Sequence, residues 1–167
     1  QDDMQKVVFE MMAGVKFLIM NIEAFSSERG KKAAYYFLRK NEDNIMIIDE
    51  STTIKNRKAN RTKNILQVSK YAKYKRILTG SPVTKSPMDL FSQCGFLDPM
   101  ALGQASYFAF QNRYAVVQRK TFGSRSFNDI VGYKRLDELN GILTGFSART
   151  LKKDCLDLPD KIYVKRN

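Results

Sequence analysis

Two adjacent carboxylates, Asp49 and Glu50, close the apolar run Ile45–Ile48 in the stretch NIMIIDESTTIKN. Like charges side by side repel unless a cation or a reaction uses them. An apolar strand ending in Asp–Glu is an arrangement that holds a nucleotide-bound magnesium. The Asp reaches the ion, usually through water, and the Glu polarises the attacking water. Magnesium keeps several of its waters, so one or two carboxylates suffice. Two solvated acids at a strand end are the plain alternative. A second polar cluster, Thr79-Gly80-Ser81, follows the apolar end of KRIL. Other chemistries are excluded outright. The chain contains no His, which removes Ser-His-Asp and Cys-His pairs and His-ligated zinc. Its two cysteines, Cys94 and Cys155, form no CxxC and read as buried or free thiols of a reducing compartment, with a disulfide between them as the alternative.

The charge balance points to a partner. Lys and Arg number 29 against 17 Asp and Glu, a formal net charge of +12 over 167 residues. This length suits one domain, and the excess favours a polyanion, nucleic acid above all. From Ser51 to Met88 there are ten Lys or Arg and no acid. Lys55, Arg57, Lys58, Arg61 and Lys63 leave the acid pair directly and form the candidate phosphate contact, with a solvated helix face as the bland alternative. Tyr71 and Tyr74 interleave with Lys70, Lys73 and Lys75, a pattern that permits base stacking, although at helical spacing Tyr71 also suits a core. Arg119, Lys120, Arg125 and Arg135 form a second candidate surface. No apolar run approaches a membrane span, and the start QDDMQKVVFE is not a signal peptide. It also lacks an initiator Met, which suits a piece of something longer.

The elements that must position these residues alternate. Val15 to Met20 is a short apolar run that predicts a buried strand. SSERGKKAAYYFLRKN predicts a helix capped by Ser26 or Ser27, and NIMIID a second buried strand. NRTKNILQVSKYAKY predicts a helix with Ile65, Leu66, Val68 and Tyr71 inward, and KRILTG a third strand. SPMDLFSQCGFL predicts a helix with Ser86 as N-cap and Pro87 at its first position. ASYFAFQNRYAVV is helical in pattern, QRKTFGSRSFNDIVGYKR a basic loop or small excursion, RLDELNGILTGF a helix and DKIYVKR a last strand. The expected fold is therefore α/β, a mainly parallel sheet flanked by helices, with a small helical excursion over about 101–146. In such sheets ligands sit at the carboxyl ends of strands, where both polar clusters fall.

Three stretches carry a family resemblance. DESTTIKN resembles the DExx box of helicase-like ATPases, and LTGSP their next motif. LTGSPVTKSPMDLFSQCGFLDP closely resembles the Swi/Snf family of superfamily-two DNA translocases. FSARTLKKDCLDLPDKIYV is similar to that family's Arg-Lys-x-Asp…Leu-Pro-x-Lys block, and the likeness runs roughly from Val15 to Lys165. The resemblance implies the later part of an N-terminal RecA-like motor domain spanning 1–167, whose parent hydrolyses ATP with Mg²⁺ and moves along DNA, duplex in this family. It implies that Asp49 holds Mg²⁺, that Glu50 orients water, and that Thr79, Gly80 and Ser81 relay nucleotide state. Arg149, Lys152 and Lys153 then support the domain junction or the nucleic acid, and a second RecA-like domain of the parent is the partner.

The sequence departs from the family pattern at several points. Thr52 stands where His is usual and Ala148 where Arg is usual. No G-x-x-x-x-G-K-[ST] occurs; in ERGKK, Phe25 takes the place of the first glycine and Lys32 that of the Ser/Thr. The fragment alone is therefore expected to be inactive. A metal-dependent nuclease using Asp49 and Glu50, and a non-catalytic basic binding module, stand as the alternatives. Plain motor motifs suit a cytoplasmic bacterial or phage protein, or a nuclear one if eukaryotic.

Overall fold

The computed structural model describes residues 14–123 and 125–150. Lys152, Lys153, Cys155 and the expected last strand lie outside them. A 3-10 turn, Ile22–Ser26, leads into α1 (Glu28–Lys40), and Ser27 caps that helix by accepting from the Gly30 amide at 3.2 Å. Gly30 is required here. A Cβ at this position would lie 2.2 Å from the Ala24 carbonyl oxygen, so the first turn of α1 rests directly on the preceding backbone. Gly30-Lys31 is thus a packing feature of a helix and no phosphate cradle.

β1 (Ile45–Ile48) pairs in parallel with β2 (Tyr74–Ile77), Ile45 opposite Tyr74 and Ile48 opposite Ile77. The connection runs through a 3-10 turn (Ser51–Ile54), α2 (Asn60–Val68) and a further turn (Ser69–Tyr71), a strand–helix–strand unit. Buried Asn44 sets the register. Its side-chain amide donates to the Leu38 carbonyl at 3.0 Å, its side-chain oxygen accepts from the Lys73 amide at 2.9 Å, and its backbone carbonyl accepts from the Tyr74 amide at 3.1 Å. Ile48, Ile54, Ile65 and Val68 form one core with Phe25 and Leu38. Helix α3 (Leu90–Leu97) follows Ser86, whose hydroxyl accepts from Met88, and the Pro87–Asp89 turn. It is apolar on more than one side because it serves two cores: Phe96 enters the first, Leu90 and Cys94 a second built with Phe110, Tyr114 and Leu139. Cys94 is a free thiol in that core, pushed up to about 12 by burial and therefore inert.

Three expectations need correction. Val15 to Met20 joins no strand; Val15, Phe17 and Ile19 are exposed, since among the described residues no strand lies beside them to complete a ladder. β1 is buried on one face only, with Ile48 inward while Ile45 and Ile47 face outward. The basic excursion is not a loop. After α4 (Tyr107–Tyr114) the chain forms an antiparallel hairpin, β3 (Ala115–Phe122) against β4 (Arg125–Tyr133), before α5 (Leu136–Thr144). The signal was present: β-branched Val116 and Val117 end the helical pattern, and Gly123-Ser124 separates two runs of alternating character. Gly123 takes a φ of +60° at the turn. No helix among the described residues is long and apolar enough to cross a membrane.

Candidate functional site

Asp49 and Glu50 follow the last residue of β1 and are both exposed. Asp49 turns one carboxylate oxygen back to accept the Glu50 amide at 2.9 Å. Glu50 adopts a left-handed backbone, φ 48° and ψ 62°, a conformation that costs a residue with a Cβ about 1–2 kcal/mol. Such strain persists where the surroundings hold it in place. Here Ser51 does so, its amide donating to the Leu78 carbonyl at 2.9 Å and its hydroxyl to Gln93 Oε1 at 2.7 Å. The Thr53 amide and hydroxyl return to the Glu50 carbonyl at 3.0 and 2.8 Å, closing the turn.

The Thr79–Ser81 loop lies alongside. Leu78, one residue before it, donates its amide to the Ile48 carbonyl at 2.9 Å, one residue before Asp49. Parallel pairing therefore places the carboxylates and the threonine–glycine loop at neighbouring strand ends. Thr79 Oγ1 accepts from the Ser81 amide at 3.2 Å and Ser81 Oγ donates to the Val83 carbonyl at 3.1 Å, so both hydroxyls shape the loop itself. Gly80 has open space where a Cβ would stand.

An outer link ties the same two segments. Lys55 Nζ donates to Thr84 Oγ1, which donates to Asp89 Oδ2 at 2.9 Å; the Thr84 and Lys85 amides reach the same oxygen at 3.3 and 3.2 Å. Burial works to raise the Asp89 pKa, but these donors and the Lys55 charge outweigh it and hold the carboxyl low.

The structure divides the residues expected to grip phosphates. Lys55 bonds to Thr84, the Arg57 guanidinium stacks 4.1 Å from the Tyr107 ring centre, and Arg61 pairs with Glu23. Lys58 and Lys63 are exposed, as is Arg149. Tyr71, expected inward, lies in the turn beyond the end of α2, where it packs edge-on against Tyr35 at 4.8 Å yet stays exposed, as does Tyr74. On the ribbon Lys120 pairs with Asp129 at 2.5 Å and Arg119 is exposed. Arg135 lies 3.8 Å from Glu138, which also accepts from Arg113 at 2.6 Å and from the Tyr114 hydroxyl at 2.8 Å. Gln93 and Ser51 were not singled out by sequence reasoning. No short-range pattern marks a hydrogen bond across 42 positions, and a Gln inside the apolar run LFSQCGFL is the one local anomaly that could have flagged it.

A family model described as SNF2-related domain matches residues 3–166. The chain belongs to this family. It is 36% identical over 119 residues to the DNA annealing helicase and endonuclease ZRANB3 of Bos taurus, an alignment covering 71% of the chain and 11% of that protein. It is 33% identical over 127 residues to the human TATA-binding protein-associated factor 172, covering 75% of the chain and 7% of that protein. The MOT1 factor of Saccharomyces cerevisiae is 33% identical over 128 residues, with 75% and 7% covered. The chain thus spans about a tenth or less of the length of these relatives. No solved structure matches it.

Proposed function

We propose that the chain is the later part of the first RecA-like motor domain of an ATP-dependent DNA translocase of Swi/Snf type. The observation that carries this reading is the juxtaposition of the exposed Asp49–Glu50 turn with the Thr79–Ser81 loop at the ends of two parallel strands. In a longer protein that supplies the phosphate cradle, Asp49 would hold the magnesium of bound MgATP. One exposed carboxylate fits an ion whose other ligands are water and phosphate. Bound MgATP supplies the phosphoryl chemistry. Glu50, aimed by its left-handed backbone, would orient the attacking water, and the Thr79–Ser81 loop would sense the nucleotide through the shared anchor at Leu78 and Ser51. Duplex DNA would lie against exposed cations such as Lys58, Lys63 and Arg149, and further parts of the longer protein would cover the open face of Ile45 and Ile47. A two-metal nuclease needs additional acids around the ions. Among the described residues no group of three or more His, Cys, Asp or Glu gathers in that way.

Glu50→Gln and Asp49→Asn in the full-length protein test this reading. Glu50→Gln keeps size but loses the charge that polarises water, so DNA-stimulated ATPase should fall on the order of 10²–10⁴-fold while ATP affinity stays within a few-fold. Asp49→Asn should weaken both magnesium-dependent binding and turnover. ATPase near wild type in Glu50→Gln would remove the role given to that carboxylate.

A further inference from the structure

Gln93 is a polar side chain with no exposed surface, on a helix whose other buried positions are apolar apart from Ser92. Every hydrogen-bonding atom of its amide that geometry allows is in use. Oε1 accepts from Ser51 Oγ at 2.7 Å; Nε2 donates to the Pro82 carbonyl at 2.7 Å and to the Asp89 carbonyl at 2.9 Å. The orientation is forced. Two carbonyls can only accept, so the NH₂ must face them and the amide oxygen must face the Ser51 hydroxyl. Ser51 is likewise fully buried.

These contacts fall at telling positions. Ser51 immediately follows Glu50, and Pro82 immediately follows Ser81. One rigid amide on α3 therefore touches both loops of the candidate site. An apolar side chain of similar length would fill the same space without burying groups that demand partners. A buried polar group that is completely satisfied specifies a unique arrangement of the segments it joins.

We propose that Gln93 is a positioning residue that couples the carboxylate turn to the Thr79–Ser81 loop. Pinned through Ser51, Glu50 keeps its left-handed backbone; pinned through Pro82, the neighbouring loop keeps its distance. A displacement of either is passed to the other through α3. The functional meaning of this tie rests on the reading of Asp49 and Glu50 given above, whereas the tie itself does not.

The test uses hydrogen–deuterium exchange on the full-length protein, comparing wild type with Ser51→Ala, Gln93→Met and the double variant. Met keeps the length and flexibility of Gln without its amide. Gln93→Met should raise exchange roughly five- to tenfold in peptides covering both 49–54 and 79–84, the scale of one or two lost hydrogen bonds. Ser51→Ala, which changes one loop only, should raise it in 79–84 as well, and the double variant should exchange no faster than Gln93→Met. Faster exchange confined to 49–54 in Ser51→Ala would overturn the coupling, as would a double variant equal to the two single effects multiplied. If Gln93→Met does not fold, the 79–84 peptides of Ser51→Ala decide alone. In ATPase assays Gln93→Met should lower DNA-stimulated kcat about tenfold with KM for ATP held within a few-fold, the pattern of lost positioning rather than lost binding. A rise in KM with kcat unchanged contradicts the role in turnover. A wild-type protein without ATPase would sink the proposed function and leave the exchange result standing on its own.

Discussion

At the carboxyl ends of β1 and β2, polar side chains bond across the fold to distant segments; along the exposed β3 they reach no farther than the neighbouring strand, as Lys120 does to Asp129. Ser51, Gln93, Lys55, Thr84 and Asp89 all find partners within the chain. Every β3 residue after Ala115 is exposed, and the ribbon is rooted through Ala115 and by the Lys134 amide donating to the Tyr114 carbonyl at 2.9 Å. A two-stranded ribbon is marginal by itself, so its base carries it. The difference teaches that a run of charge along a sequence is not a patch in space. Lys55, Arg57 and Arg61 come from the acid-free stretch, yet folding turns them toward Thr84, Tyr107 and Glu23. The cations left to a partner are fewer and more scattered than the sequence implies.

Two glycines sharpen this comparison most. Gly30→Ala would drive a Cβ into the Ala24 carbonyl and should destabilise the domain by on the order of 3 kcal/mol, read by thermal or urea unfolding. Gly141→Ala, on exposed helical surface of α5 with nothing within 4 Å, should stabilise by about 0.5–1 kcal/mol through helix propensity. Equal effects at the two sites would mean that the tight packing of the α1 end is not real.

The next largest effect is on DNA. Lys58→Glu, Lys63→Glu and Arg119→Glu should each lower the slope of log affinity against log salt by about one and leave the melting temperature unchanged. Arg57→Glu and Arg61→Glu should lower the melting temperature, because each loses an internal partner. An unchanged melting temperature in Arg61→Glu, together with a reduced salt slope, would return that residue to the DNA surface.

The smallest effect concerns the base of the ribbon. The Arg113 guanidinium, then the Tyr114 hydroxyl, hold the Glu138 carboxyl below its usual range. A depressed carboxylate contributes stability that is present above its unfolded pKa, about 4.3, and is lost as pH falls through the lower folded value. The α4–α5 contact should therefore weaken below about pH 4. Glu138→Gln should flatten that part of the pH–melting profile; an unaltered acid limb would show that the clasp contributes nothing.

The sequence by itself determined the pieces whose causes are local. Ser27 and Ser86 cap the helices that follow them, Pro87 opens its turn, and the apolar run before Asp49 becomes a strand that delivers both acids to its end. Each rests on a few neighbouring residues and on backbone groups that need a nearby partner. Tertiary structure decided the rest. It left Val15 to Met20 without a strand to pair with among the described residues, made a hairpin of a stretch whose polarity suggests a loop, and gave three cations partners within the chain. It also joined Ser51 to Gln93 across the core. These outcomes depend on which distant segment supplies an acceptor, a ring or a strand edge, and burial and hydrogen bonding are settled between such segments only when the chain has closed on itself.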